Sequence, residues 1–255
     1  MASTLIVDQL QKTGGSTTAL TLPTSNASAN EFLQNNGSGV LSWANAAAGF
    51  SGIHTDVTSG SETYTVPSVA AGDPADITKL LVFITGGGGC GGTGTTGVTY
   101  GSGGVAGGTV IASVTVVPGD TITIAIGAGG TSAGAGGSST FTHASGSGSF
   151  DTITASGGPA GVNGASAPSG PATPTVGASN DGIAIKGGHP GPQGNGSQGA
   201  ASFWGGGGTG YNSVPSVVAQ DGDAFGSGGG GGSYPAGYED GGVGGVGVCL
   251  IMEFI

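Results

Sequence analysis

Lys79-Leu-Leu-Val-Phe-Ile-Thr85 runs straight into Gly86-Gly-Gly-Gly-Cys-Gly-Gly92. The first half is a near-continuous apolar run, the pattern of a central strand buried on both faces. The second half has almost no side chains, so it cannot continue a packed strand. The same switch recurs downstream. Thr109-Val-Ile-Ala-Ser-Val-Thr-Val-Val117 leads through Pro118-Gly-Asp120 into Thr121-Ile-Thr-Ile-Ala-Ile126, which ends in Gly127-Ala-Gly-Gly130. Pro-Gly fits a type II turn, where proline presets φ and glycine accepts a positive φ. The two flanking runs are expected to pair as a hairpin. Ser61-Glu-Thr-Tyr-Thr-Val66, bounded by Pro67, reads as a further strand. Ser138-Ser-Thr-Phe141 and Phe150-Asp-Thr-Ile-Thr-Ala155 extend the sheet. The terminal run, Val246 to Ile255, is expected to return to it. The fold class is all-β: a β-sandwich-like head, with scaffold 61–165 and 246–255, from which long glycine-rich loops emerge.

Sixty-one of the 255 residues are glycine, roughly three times the average share of about 7%. No sustained Gly-X-Y repeat is present, which excludes a collagen helix. Apolar residues make up 36%, more than a disordered chain would carry. The excess peaks over 156–247, in Gly187-Gly188, Gly205–Gly208, Gly228–Gly232 and Gly241–Gly247. Two readings compete for this excursion. It is a set of flexible loops, or its runs are polyproline-II-like helices packed side by side as polyglycine II. Ordering a residue's backbone costs about 1–2 kcal/mol, so isolated runs stay loose, whereas a bundle recovers the cost in hydrogen bonds between runs. A strong terminal strand pins the excursion at both ends and favours the bundle.

Residues 1–50 form a separate unit of short strands: Leu5–Leu10, Ala19–Pro23, and Asn30–Gly37 leading through an Asn-Gly turn into Ser38–Trp43. Leu5, Val7, Leu20, Leu22, Phe32, Leu33, Leu41 and Trp43 are too few to build a core alone. Identical strands from several chains packing around an axis would supply one; the other reading is a leader that docks on a partner. Residues 51–60 read as a linker.

Charged residues are 7% of the chain, with 14 acidic side chains, no arginine, and only Lys12, Lys79 and Lys186 as basic ones. A net charge of −11 without a basic cluster excludes phosphate-dominated partners, so nucleic acid and anionic membrane surfaces are not expected. No stretch has the make-up of a secretion signal, and no apolar run nears the roughly 18 residues of a transmembrane helix. Cys90 and Cys249 are either two buried thiols or one disulfide.

Catalytic and metal-binding patterns are weak. His54, His143 and His189 have no acidic or cysteine neighbour at ligand spacing. Asp221-Gly-Asp223 lacks the rest of a calcium loop. Gly87-x-Gly89-x-x-Gly92 follows a strand but opens no helix, so it does not make a dinucleotide site. No enzyme, metal or cofactor is expected. Aromatic residues set among glycines are better material for binding: Tyr100, Phe203, Trp204, Tyr211, Phe225, Tyr234 and Tyr238. A ring flanked by glycine is either presented for contact with a sugar or protein surface or fills a gap between glycine segments. Trp204 and the Tyr234–Tyr238 pair are the leading contact candidates.

Thr4-Leu-Ile-Val-Asp-Gln-Leu-Gln-Lys-Thr-Gly-Gly15, with Phe32-Leu-Gln-Asn-Asn-Gly-Ser-Gly-Val-Leu-Ser-Trp43, resembles the N-terminal region of tail-fibre and related structural proteins of tailed bacteriophages. The stretch from Tyr64 to Ile255 is similar to the glycine-rich domain of many phage tail-fibre and adhesin proteins. It shows a strand entering a glycine block, strand–Pro-Gly-Asp–strand, a long glycine excursion and a terminal apolar strand. Cys90 within the first glycine block departs from that pattern. The resemblance implies a virion protein: a tail fibre or fibre-tip adhesin, assembled in the host cytoplasm and exposed outside. Residues 1–50 would join it to other tail proteins and form a homotrimer, and the 61–255 head would touch a host glycan or outer-membrane protein. A capsid or neck decoration fibre without a receptor site, or a cellular glycine-rich adhesin, are the alternatives.

Overall fold

The computed structural model describes residues 9–10, 20–25, 31–35, 40–45, 49–68, 76–94, 100–163, 168–190, 197–210, 219–233 and 240–255. Two small antiparallel pairs come first. β1 (Gln9–Leu10) pairs with β2 (Leu20–Thr21), and β3 (Glu31–Asn35) with β4 (Leu41–Asn45). Phe32 is 49% and Leu33 42% exposed on β3, so this pair closes no core of its own. Leu5, Val7 and the Asn-Gly turn lie outside the described residues.

Two larger sheets form a sandwich. The strands are β5 (Phe50–Asp56), β6 (Gly60–Thr65), β7 (Lys79–Thr85), β8 (Thr109–Thr115), β9 (Thr121–Ile126), β10 (Ser139–Ser145), β11 (Ile153–Ala155), β12 (Asp181–Ile185) and β13 (Val248–Phe254). One sheet has the order β12-β8-β7-β13-β5 and the other β11-β10-β9-β6, and every pairing within them is antiparallel. Alternate residues turn inward. Leu80, Val82 and Ile84 of β7, Val110 and Val114 of β8, and Ile251 of β13 meet Ile122 and Ile124 of β9, Phe141 of β10 and Ile153 of β11. Each such aliphatic side chain stabilises the fold by about 1.5–3 kcal/mol on burial. The terminal strand lies between β7 and β5, as its apolar character predicts.

Three expectations change. Thr109–Val117 and Thr121–Ile126 do not pair as a hairpin: β8 belongs to one sheet and β9 to the other. The turn itself is as read, with Gly119 at φ 85° and the Asp120 N–H donating to the Val117 carbonyl at 2.9 Å. A type II turn lacks the twist of a hairpin and splays its strands. Here it carries the chain across the core, so that both strands bury their apolar face in the same interior. Residues 51–60 are not a linker, because β5 occupies most of that span and forms the sheet edge beside β13. β12, at the opposite edge, lies within what composition alone marks as glycine excursion.

The glycine segments form a bundle beyond the sheet ends. Segment 86–92 shows its construction. Its N–H groups at 86, 89 and 92 donate to carbonyls of 108, 105 and 102. Those of 87 and 90 donate to 137 and 134, and those of 88 and 91 to 245 and 242, all at 2.8–3.1 Å. A partner that recurs every third residue means three residues per turn, the polyproline-II geometry. Its carbonyls in turn accept from Gly158 and Gly161, from Gly229 and Gly232, and from Gly130. One segment thus has six neighbours, three it donates to and three it accepts from. Segment 226–233 is surrounded the same way. Packed polyglycine II is therefore the arrangement of these runs. It also recruits 86–94, 101–108 and 127–137, which the sequence places inside the scaffold.

The spacing excludes side chains. A Cβ on Gly91 would overlap the carbonyl of Gly230, and one on Gly88 that of Ser227. Each ordered glycine costs about 1–2 kcal/mol, and each net hydrogen bond returns about 0.5–1.5 kcal/mol. Hydrogen bonding alone comes close to break-even, so the bundle depends on tight packing and on anchorage to the sandwich.

Candidate functional site

The bundle has two distinct ends. At the sandwich end lie Gly86, Gly108, Ser156, Gly226 and Val246, linked by Gly86 N–H to Gly108 O, Gly108 N–H to Ser156 O, and Gly226 N–H to Val246 O. At the far end lie Gly92, Ser102, Val162, Ser197, Gly231 and Gly232. Gly92 N–H donates to Ser102 O, Ser102 N–H to Val162 O, Gly231 N–H to Ser197 O, and Gly232 N–H to Gly92 O. The Thr93 N–H reaches the Asn163 side chain at 2.7 Å, and Tyr100 bridges to Ser233. Gln220 N–H donates to Thr209 O, and Gly230 N–H to Gln220 O, which brings two more segment ends to this level.

Described residues break off at 94, 163, 190, 210 and 233 and resume at 100, 168, 197, 219 and 240. The intervening segments lie outside the described residues.

Four of the seven aromatic candidates are among the described residues, and these divide between the two ends. Tyr100 is half-buried at the far end, against Ser233. Tyr211, Tyr234 and Tyr238 lie outside the described residues. Phe203, Trp204 and Phe225 gather instead at the sandwich end. The Phe203 and Trp204 rings meet edge-on at 5.1 Å, and Trp204 and Phe225 at 6.5 Å. The Trp204 indole N–H donates to the Thr85 hydroxyl, and Phe203 is 47% exposed. Among the described residues, Trp204 and Tyr100 therefore lie at opposite ends of the bundle.

Electrostatics on the bundle flank are modest. Thr93, Thr131, Ser132, Ala133, Asp240, Gly241 and Val243 enclose a small cavity of about 170 Å³ with Cys90. Burial pushes the Cys90 thiol up, and the carboxylates of Asp240 and Asp221 add to it against a backbone hydrogen bond from Ala133. Cys249 is buried in the sandwich, and both cysteines are free. Among the described residues no three His, Cys, Asp or Glu side chains gather as a metal site.

What sequence reasoning missed is the convergence. Which glycine runs meet at one end follows only from the hydrogen-bond map. With that map in place, the comparison with known families has a structural meaning. A family model described as a glycine-rich domain matches residues 55–252. The chain belongs to this glycine-rich domain family, and the match covers the sandwich together with the bundle. No curated protein matches the sequence.

Proposed function

We propose that this protein is a fibre or fibre-tip protein of a tailed-phage virion, and that it binds the host surface through segments at the far end of its glycine bundle. Residues 1–50 attach it to other tail proteins and assemble it, as a homotrimer, into the particle. The carrying observation is a hydrogen-bonded glycine lattice whose far layer, at Gly92, Ser102, Val162, Ser197, Gly231 and Gly232, lies opposite the sandwich. A surface made of several adjacent segments on a rigid base suits weak contacts repeated across copies, where avidity exceeds single-site affinity. Tyr100, half-buried in this layer beside Ser233, is a flat amphipathic ring of the kind that meets a glycan or a protein loop. The role is binding, not catalysis.

A decoration fibre without a receptor site is the second reading. It is favoured by Trp204 and Phe225, which pack at the sandwich end. Flow cytometry of the labelled full chain on a panel of bacterial cells separates the two. The expected outcome is binding to some strains. A variant with Tyr211→Ala, Tyr234→Ala and Tyr238→Ala should lose about tenfold or more of its affinity, while Phe203→Ala retains it. Binding to no strain, or loss on Phe203→Ala with the triple variant intact, overturns the adhesin reading.

A further inference from the structure

We infer that the outer face of the five-stranded sheet is a contact surface for a second copy of this chain. Among the described residues of one chain, no element is layered on that face. Its rows read Ile183–Ile111–Phe83–Leu250–Thr55 and Asp181–Ser113–Leu81–Met252–Ile53 across β12, β8, β7, β13 and β5, followed by Lys79–Phe254–Phe50. Ile53 is 59%, Ile183 58% and Phe50 54% exposed, and the apolar side chains between them are only partly covered. The aromatic cluster at Trp204 extends the patch at its bundle end through Thr85. An ordinary sandwich alternates apolar-in with polar-out. β7 and β13 are apolar on both faces, which is the composition of strands covered on both sides. A contiguous apolar face of this extent marks a contact surface.

The charge pattern selects the occupant. The chain carries a net charge of −11, so two copies repel over most of their surface. The outward positions of this sheet hold one lysine, Lys79, and one carboxylate, Asp181, and so carry no net charge. The other carboxylates of these strands turn away: Glu253 meets Tyr64 of the opposite sheet, and Asp56 is paired in register with Cys249 on the inner side. Copies can meet here without a like-charge barrier, and a basic partner would find nothing to attract it.

Size points the same way. Strands about 4.8 Å apart and about 23 Å long give a face of roughly 450 Å² per copy, short of the roughly 800 Å² per partner of a standard interface. The shortfall lies next to it in the chain. β5 begins at Phe50, a few residues after β4, and the β3–β4 pair exposes Phe32 and Leu33. A copy seated on the sheet brings these apolar residues of both chains within reach, so one assembly covers both deficits. The inference deepens the assembly part of the proposed function. Its test needs no host cell, so its failure is distinct from a failure of host binding.

Both natural cysteines are buried, at 2% and 0% exposure, which permits thiol labelling at chosen sites. Full-length Ile53→Cys and Ile183→Cys variants are compared with Gln198→Cys, an exposed position on the bundle flank, while mass is followed by light scattering. The expected result is a multimeric mass, maleimide labelling of the two sheet positions about tenfold slower than at position 198, and chain-to-chain joining by a short bis-maleimide. Labelling as fast as at position 198 overturns the inference. So does slow labelling at single-chain mass, because the chain itself then covers the face.

Discussion

The Trp204 indole nitrogen donates to the Thr85 hydroxyl at 2.8 Å, across 119 residues of sequence. The bond ties the turn at 202–205 to the last residue of β7, where strand becomes glycine helix. Thr85 also shares a bond with Thr109 of β8 at 2.8 Å. Trp204→Phe removes one donor and keeps much of the ring packing, so it should cost about 1 kcal/mol. Thr85→Val strands the buried Thr109 hydroxyl as well and should cost about 1–3 kcal/mol. Urea unfolding followed by circular dichroism reads both, and the expected order is Thr85→Val below Trp204→Phe below wild type.

Asp120 clasps the crossing turn between the sheets. Its carboxylate accepts from the Val117, Ser147 and Gly148 N–H groups at 2.8, 2.9 and 3.2 Å. Burial acts to raise its pKa, but these donors and nearby His143 hold it below the usual carboxylate range. A lowered pKa means that the native state favours the charged form. The contribution is present at neutral pH and is lost as pH falls through the ordinary carboxylate range and then through the folded value. Asp120→Asn should destabilise by about 1.5–3 kcal/mol at pH 7. The gap from wild type should narrow as pH falls from 7 to about 3, and a gap of equal size at both pH values would contradict the assignment.

Gly91 and Gly206 separate lattice from surface. Alanine at 91 drives a Cβ into the Gly230 carbonyl, whereas one at 206 meets nothing within 4 Å. Gly91→Ala should cost about 3 kcal/mol or more, because backbone and not a flexible side chain must move. Gly206→Ala should be neutral, or stabilise by about 0.5 kcal/mol through the unfolded chain. Hydrogen exchange should show the first variant losing protection in 86–92 and 226–233 together, since each contributes to the other's cage.

Tyr64 of β6 donates its hydroxyl to Glu253 of β13 at 2.6 Å, joining the two sheets near one edge. Burial, then the Glu253 hydrogen bond and charge, push the tyrosine well above its ordinary range. The neutral form is favoured in the folded state, so its contribution is complete below the ordinary tyrosine pKa of about 10 and is lost as pH rises beyond it. Tyr64→Phe should lower the unfolding midpoint at pH 8. The difference from wild type should shrink on raising pH above that range.

The strands were legible where the apolar signal is long and clean: β6 and β9 fall where alternation places them, and β7 and β13 where a continuous apolar run does. The pairing of β8 with β9 was misread because Pro118-Gly119 specifies a turn and not which sheet receives the next strand. β5 and β12 were missed because edge strands need less apolar content, and Gly52 and Gly182 dilute what they have. The packed state of the glycine runs could be argued from the two pinned ends. Which run touches which could not, because glycine carries no side chain to encode a register. The same holds for the site. The aromatics are visible in the sequence, but their division between two ends depends on the direction of every run.

Three of the central strands continue into the bundle without a break. β7 passes into 86–94, β8 receives 101–108, and β13 receives 240–247. β8, β7 and β13 are also adjacent in the sheet. A pull at the far end is therefore transmitted along three neighbouring, antiparallel tethers rooted side by side. Such a load shears many hydrogen bonds at once instead of peeling them one by one. Mechanical strength is thus built into the connection between strand and glycine run, in a chain with almost no side chains there to supply it.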